Sequence, residues 1–118
     1  MTFDLEDRTF KFANDVRQFV KSVKITLINA DDLKQMIRSS GSVGANYIEA
    51  NEGVSRKDFF YRVRVTRKET KETKYWLNLI NVEPDEKIQT ERHKLIQESN
   101  ELIKIFTQIL KSDNDKGK

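Results

Sequence analysis

A chain of 118 residues fits a single domain, and its 36% hydrophobic and 35% charged side chains put it above the disordered regime while leaving only enough apolar surface for one core. Cysteine is absent, which excludes disulfides and thiolate metal sites, and a net charge of +3 is too small to assign a partner by itself. One proline and four glycines favour long helices over a sheet-and-turn design.

The first periodic segment spans about residues 4–24. Leu5, Thr9, Phe12, Val16, Phe19 and Val23 recur at steps of four and three, which is one stripe of a helix, with Ala13 and Val20 widening it. Asp4 suits the N-cap, and Glu6 and Asp7 suit the positive end of the helix dipole. After the connection TLINADD, a second helix is expected over about 31–50. Its stripe is Leu33, Ile37, Ser40, Gly44 and Tyr47, flanked by Met36, Val43, Ile48 and Ala50.

The middle of that helix, SSGSVGA, has two readings. Two interior glycines cost about 1 kcal/mol each relative to alanine, so the helix could break there into a loop. Alternatively it runs through, and the small face lets a neighbour approach closely. The unchanged apolar phase on both sides of the glycines favours the second.

Gly53 reads as a helix stop, and Ser55-Arg56-Lys57-Asp58 as a capping box opening a third helix over about 55–82. Phe59, Val63, Thr66, Thr70, Thr73, Leu77 and Ile80 form its stripe. Three threonines are poor core residues. They fit opposite the small middle of the second helix, where each hydroxyl can bond the carbonyl one turn back. Pro84 and Asp85 end this segment. The fourth helix, about 88–111, carries Leu95, Ser99, Leu102, Phe106 and Ile109, with Ile96, Ile103 and Leu110 beside them. The expected architecture is an all-α antiparallel up-down four-helix bundle over residues 1–112, with a disordered tail at 113–118.

Catalytic and metal constellations are missing from the pattern. A di-iron bundle needs two Glu-x-x-His pairs, whereas this chain has one histidine, His93, with Thr90 three residues before it. That histidine reads as a solvated residue of the fourth helix. No cysteine nucleophile is available, and GSVG lacks the lysine and spacing of a phosphate loop. The expectation is a non-enzymatic protein with no cofactor and no metal. The start MTFDLEDRTF has no basic and apolar signal regions, and no apolar run reaches bilayer length, so a cytoplasmic protein without a membrane partner is expected.

Charge placement is more informative. Residues 55–80 hold eight basic side chains against three acidic ones, while the flanking stretches are slightly acidic. With Val63, Thr70 and Leu77 inward, Lys57, Arg64, Lys68 and Lys71 share the outer face of the third helix, with Tyr61 and Tyr75 at its ends. Arg67 and Lys74 lie on its flank. Such a stripe can hold phosphates and stack bases; it can also be an ordinary solvated face. Phe3, Phe10, Phe60, Val65, Trp76 and Leu79 lie off the core stripes. Phe60 can widen a stripe, but Phe10, Val65, Trp76 and Leu79 point to a self-association surface.

The stretches RSSGSVGANYIEA, SRKDFF and KETKETKYWL, followed by ESNELIKIFTQIL, resemble the four helix bundle protein family, also called 23S rRNA-intervening-sequence or S23 proteins. The resemblance covers nearly the whole chain. Departures are Tyr47-Ile48-Glu49, where members often read Ile-Ala-Glu, and Thr66-Arg67-Lys68, where many have an apolar-Ala-Lys run. The resemblance implies four-helix bundles assembled as homopentamers, some encoded in segments inserted within 23S rRNA genes. It also implies kinship with the accessory variability protein of diversity-generating retroelements, which binds nucleic acid and a reverse transcriptase. No enzymatic activity is implied. The motif positions are Arg38, Ser39, Ser40, Asn46, Glu49, Lys68, Glu69, Glu72 and Trp76. Two functions follow as expectations. One is an oligomeric scaffold that binds RNA or DNA through the third helix. The other is a structural or adaptor protein that meets an acidic protein partner there and has no nucleic-acid role.

Overall fold

The computed structural model describes residues 4–82 and 84–116, the side chains of 114–116 excepted. Four helices, α1 (Leu5–Ser22), α2 (Ala30–Asn51), α3 (Arg56–Leu79) and α4 (Glu86–Lys116), make up an all-α body of about 50 × 26 × 23 Å. No strand occurs among the described residues. Each helix packs on the next, and α1 closes against α4; the α2–α3 contact is the most extensive and α1–α4 the slightest. Asn51 at the end of α2 donates to Glu6 at the start of α1, and Arg56 at the start of α3 reaches Asp113 near the end of α4. Neighbouring helices therefore run in opposite directions.

The helix starts follow the caps. Asp4 Oδ1 accepts from Asp7 N at 3.2 Å, and Ser55 Oγ accepts from Asp58 N at 3.1 Å. Asp85 Oδ1 accepts from the amides of Lys87 and Ile88, so α4 begins at Glu86. The buried stripe of α1 is Leu5, Thr9, Phe12, Val16 and Phe19, as its spacing predicts. Phe12, Met36, Leu77, Leu102 and Phe106 fill the centre, each contributing about 1.5–3 kcal/mol by leaving water.

The glycine-rich middle of α2 is unbroken helix. Its environment differs from expectation. A Cβ at Gly44 would sit 3.1 Å from Thr9 Oγ1, so the close approach is to α1, not to the threonines of α3. Of those threonines Thr73 meets a serine of α2: Ser39 Oγ lies 2.7 Å from Thr73 Oγ1. Thr70 and Thr73 bond the carbonyls of Thr66 and Glu69 one turn back, whereas Thr66 Oγ1 has no partner among the described residues. Because α2 serves two neighbours, its buried face turns to Met36 and Val43. Ile37 and Tyr47 are left half-buried and Ile48 exposed.

Three boundaries also move. α1 stops at Ser22 rather than Lys24, and α3 at Leu79 rather than Val82. Both ends are held by side chains that give the chain other partners. Asn29, 1% exposed, donates from Nδ2 to Lys24 O and to Asn81 O, and accepts from Thr26 N. Arg92 Nη2 donates to Ile80 O. Gly53 has no left-handed φ; a Cβ there would meet Ala50 O at 3.1 Å, so crowding explains the glycine. Helix α4 continues through Ser112 and Asp113 to Lys116, where a disordered tail was expected. Nothing in the sequence breaks a helix before Gly117. Residues 117 and 118 of that tail lie outside the described residues, as do Phe3 and Glu83.

Candidate nucleic-acid interface

The 3.5-residue spacing of Lys57, Tyr61, Arg64, Lys68, Lys71 and Tyr75 on α3 puts all six on one exposed line. The tyrosines are 56% and 57% exposed, although Arg62 lies over the Tyr61 ring and Trp76 packs edge-on against Tyr75. Lys57, Lys68 and Lys71 form no ion pair with another described residue. The arginines behave differently. Arg64 Nη2 lies 4.0 Å from Asp113 Oδ2. Arg67 is half-buried and donates to Thr107 Oγ1 of α4 at 3.3 Å. Arg62 donates to Asn46 Oδ1 of α2 at 3.1 Å and lies over the Tyr61 ring. Arg56 Nη2 is 3.1 Å from Asp113 Oδ1, with its guanidinium over the Phe60 ring. Lys74 is half-buried on the flank.

A polar seam lies along α2 and α3, and it gathers most of the family-motif positions. Arg38 bridges Glu69 and Glu72 through separate nitrogens while its Nε donates to Gln35. Trp76 Nε1 donates to Glu72 Oε2 at 3.0 Å. Burial pushes the Glu72 carboxyl up, but the hydrogen bonds from Trp76 and Arg38 outweigh it and hold the group below the usual glutamate range. The Glu72 hydrogen bond in turn raises the Arg38 guanidinium. Ser39 and Ser40 are buried beside this seam, Asn46 reaches Arg62, and Glu49 is exposed on the next turn. The seam joins two helices, and its charges are mutually satisfied.

The apolar positions do not form one patch. Phe10 is 73% exposed and, with Ile48, Ala13, Gly41, Gly44 and Ala45, lines a groove of about 490 Å³ between α1 and α2. Leu79 is exposed at the end of α3, and Val65 is half-buried. Trp76 packs against the core and stacks edge-on with Tyr75. Sequence reasoning missed Arg56 and Asp113. The unbroken helical potential up to Gly117 is the signal that would have placed Asp113 on α4. Among the described residues no cluster of three or more His, Asp or Glu side chains is arranged to hold a metal ion, and no helix is long and apolar enough to cross a membrane.

Fold and site together describe a compact all-α four-helix protein with a polar-stapled α2–α3 pair and an exposed lysine–tyrosine line. The chain belongs to the 23S rRNA-intervening sequence protein family, whose model matches residues 2–108. It is also similar to the crystal structure of a protein of unknown function from the S23 ribosomal protein family of Bacteroides thetaiotaomicron VPI-5482. That likeness has 30% identity and a TM-score of 0.72, and covers 92% of this chain and 99% of the other. Among curated proteins none matches the chain.

Proposed function

We propose that this protein is a non-enzymatic, oligomeric helical-bundle scaffold that holds RNA or DNA by its phosphate backbone along α3. The observation that carries this reading is the exposed line Lys57, Tyr61, Arg64, Lys68, Lys71 and Tyr75, in which Lys57 and Lys71 form no ion pair with a described residue and Lys68 is drawn only through space toward Glu72 one turn on. Lysines that neutralise phosphates release the cations condensed on the nucleic acid, which supplies affinity with little base preference. The flanking tyrosines give stacking surfaces for unpaired bases. Exposed Phe10, Ile48 and Leu79 support self-association, and the family resemblance makes a homopentamer the expected state. A ring would repeat the lysine line, so that weak single contacts add by avidity.

Fluorescence-anisotropy titrations with structured RNA, single-stranded DNA and duplex DNA test the reading. Binding is expected to fall steeply with salt, and Lys68→Glu with Lys71→Glu to abolish it while melting temperature holds. Both lysines are exposed, and removing the like-charge pairs Arg67–Lys71 and Arg64–Lys68 one turn apart offsets losing the Lys68 attraction to Glu72. No binding to any of the three at low salt would remove the nucleic-acid reading and favour an acidic protein partner.

A further inference from the structure

Two of the four arginines in the amino-terminal half of α3, Arg56 and Arg64, already face the chain's own acid. Asp113 sits on the last turns of α4, half-buried, and offers three oxygens to α3. Its Oδ1 pairs with Arg56 at 3.1 Å, its backbone carbonyl accepts from the same guanidinium at 3.3 Å, and its Oδ2 lies 4.0 Å from Arg64. The carbonyl contact also places a cation at the negative end of the α4 dipole. Two turns earlier Thr107 takes Arg67. One edge of α4 thus draws in Arg56, Arg64 and Arg67, and leaves Lys57, Lys68 and Lys71 to solvent.

We propose that the carboxy-terminal turn of α4 is a built-in counter-anion: Asp113 masks Arg56 and Arg64, and a polyanion must displace it to use the whole of α3. This inference rests on the reading of α3 as a phosphate-binding face. The contact suits a displaceable mask. Arg56 and Arg64 keep side chains 50% and 54% exposed, so phosphates can reach them without unfolding the helix. An exposed ion pair is weak, on the order of 1 kcal/mol or less, and the lysines offer a landing site beside it. Masking therefore sets a graded affinity: the lysines bind first, and the arginines join where the anion is dense enough to compete. Release of the mask adds two phosphate contacts for each chain.

The test uses the full chain and a labelled single-stranded oligonucleotide, with salt varied. Asp113→Asn is compared with Asp31→Asn, which removes the same charge from the first turn of α2, at the opposite end of the bundle from Arg56 and Arg64. Asp113→Asn is expected to tighten binding by about threefold to tenfold at low salt and to steepen the dependence of log K on log salt by about one to two, since each added phosphate contact on a single strand contributes about 0.7. Asp31→Asn should move affinity less than about twofold, as expected of a charge more than a screening length from Arg56 and Arg64. In the Arg56→Gln, Arg64→Gln background the gain from Asp113→Asn should vanish. If Asp113→Asn and Asp31→Asn shift binding equally, or if the gain survives without the two arginines, masking is wrong while the binding face stands. If neither the parent nor Asp113→Asn binds, the face is not a phosphate site and both proposals fall.

Discussion

Substitution of the two glycines of α2 separates helix propensity from packing, because the residues share a helix but not a neighbour. A Cβ at Gly41 would meet only the flexible tip of Arg17, at 3.4 and 3.9 Å. Gly41→Ala should therefore keep most of the propensity gain, about 0.5–1 kcal/mol. At Gly44 the new methyl would lie 3.1 Å from Thr9 Oγ1 and 3.5 Å from Thr9 Cβ. That hydroxyl cannot swing away freely, since it bonds Leu5 O at 2.8 Å and is fully buried. Gly44→Ala should thus lose its propensity gain to crowding and come out near zero. Gly44→Leu, with three further carbons to place between α1 and α2, should destabilise by about 1–3 kcal/mol. For a chain of this size each kcal/mol moves the melting temperature by about 4 °C. Circular-dichroism melts and urea titrations should order the variants Gly41→Ala above parent, Gly44→Ala close to parent, and Gly44→Leu well below it. Equal melting of the two alanine variants, or a Gly44→Leu protein as stable as parent, would refute the close contact between α1 and α2.

Asn29→Ala removes a fully buried amide that ties the α1–α2 connection to Lys24 O and Asn81 O, so urea midpoints should report a loss of about 1–3 kcal/mol. Glu72 is held below its ordinary pKa, so its contribution is present above the unfolded value and lost as pH falls through the folded one. The stability gap between parent and Arg38→Gln should then be widest near neutrality and close below about pH 4; a gap that persists in acid would mean that Arg38 acts through packing alone. Sedimentation of the parent should give an oligomer, and Phe10→Asp with Ile48→Asp should shift it toward monomer if the α1–α2 groove is a subunit contact. An unchanged sedimentation coefficient would exclude that groove.

The fold was legible because a helix repeats its inward positions every three or four residues, and α1, α3 and α4 each bury one face. Helix α2 resisted that reading. It serves α1 through Gly44 and α3 through Ser39, so two stripes overlap in one sequence and a single phase cannot describe both. The boundaries at Ser22 and Leu79 were hidden for another reason: they depend on side chains outside the two helices, Asn29 on Lys24 O and Asn81 O and Arg92 on Ile80 O. The candidate site shows the same division. Spacing alone placed Lys57, Lys68 and Lys71 on an exposed face, because exposure depends only on the phase of their own helix. It could not separate them from the arginines beside them, because partnership depends on which atoms of another helix come within reach. A guanidinium, with its planar fork of donors, finds carbonyls, amides and carboxylates on α2 and α4; an ammonium on a flexible stem stays hydrated. The same eight basic side chains therefore divide by chemistry. The arginines go mostly to holding α3 in place and the lysines of the outer line stay exposed, so the proposed phosphate binding rests mainly on Lys57, Lys68 and Lys71.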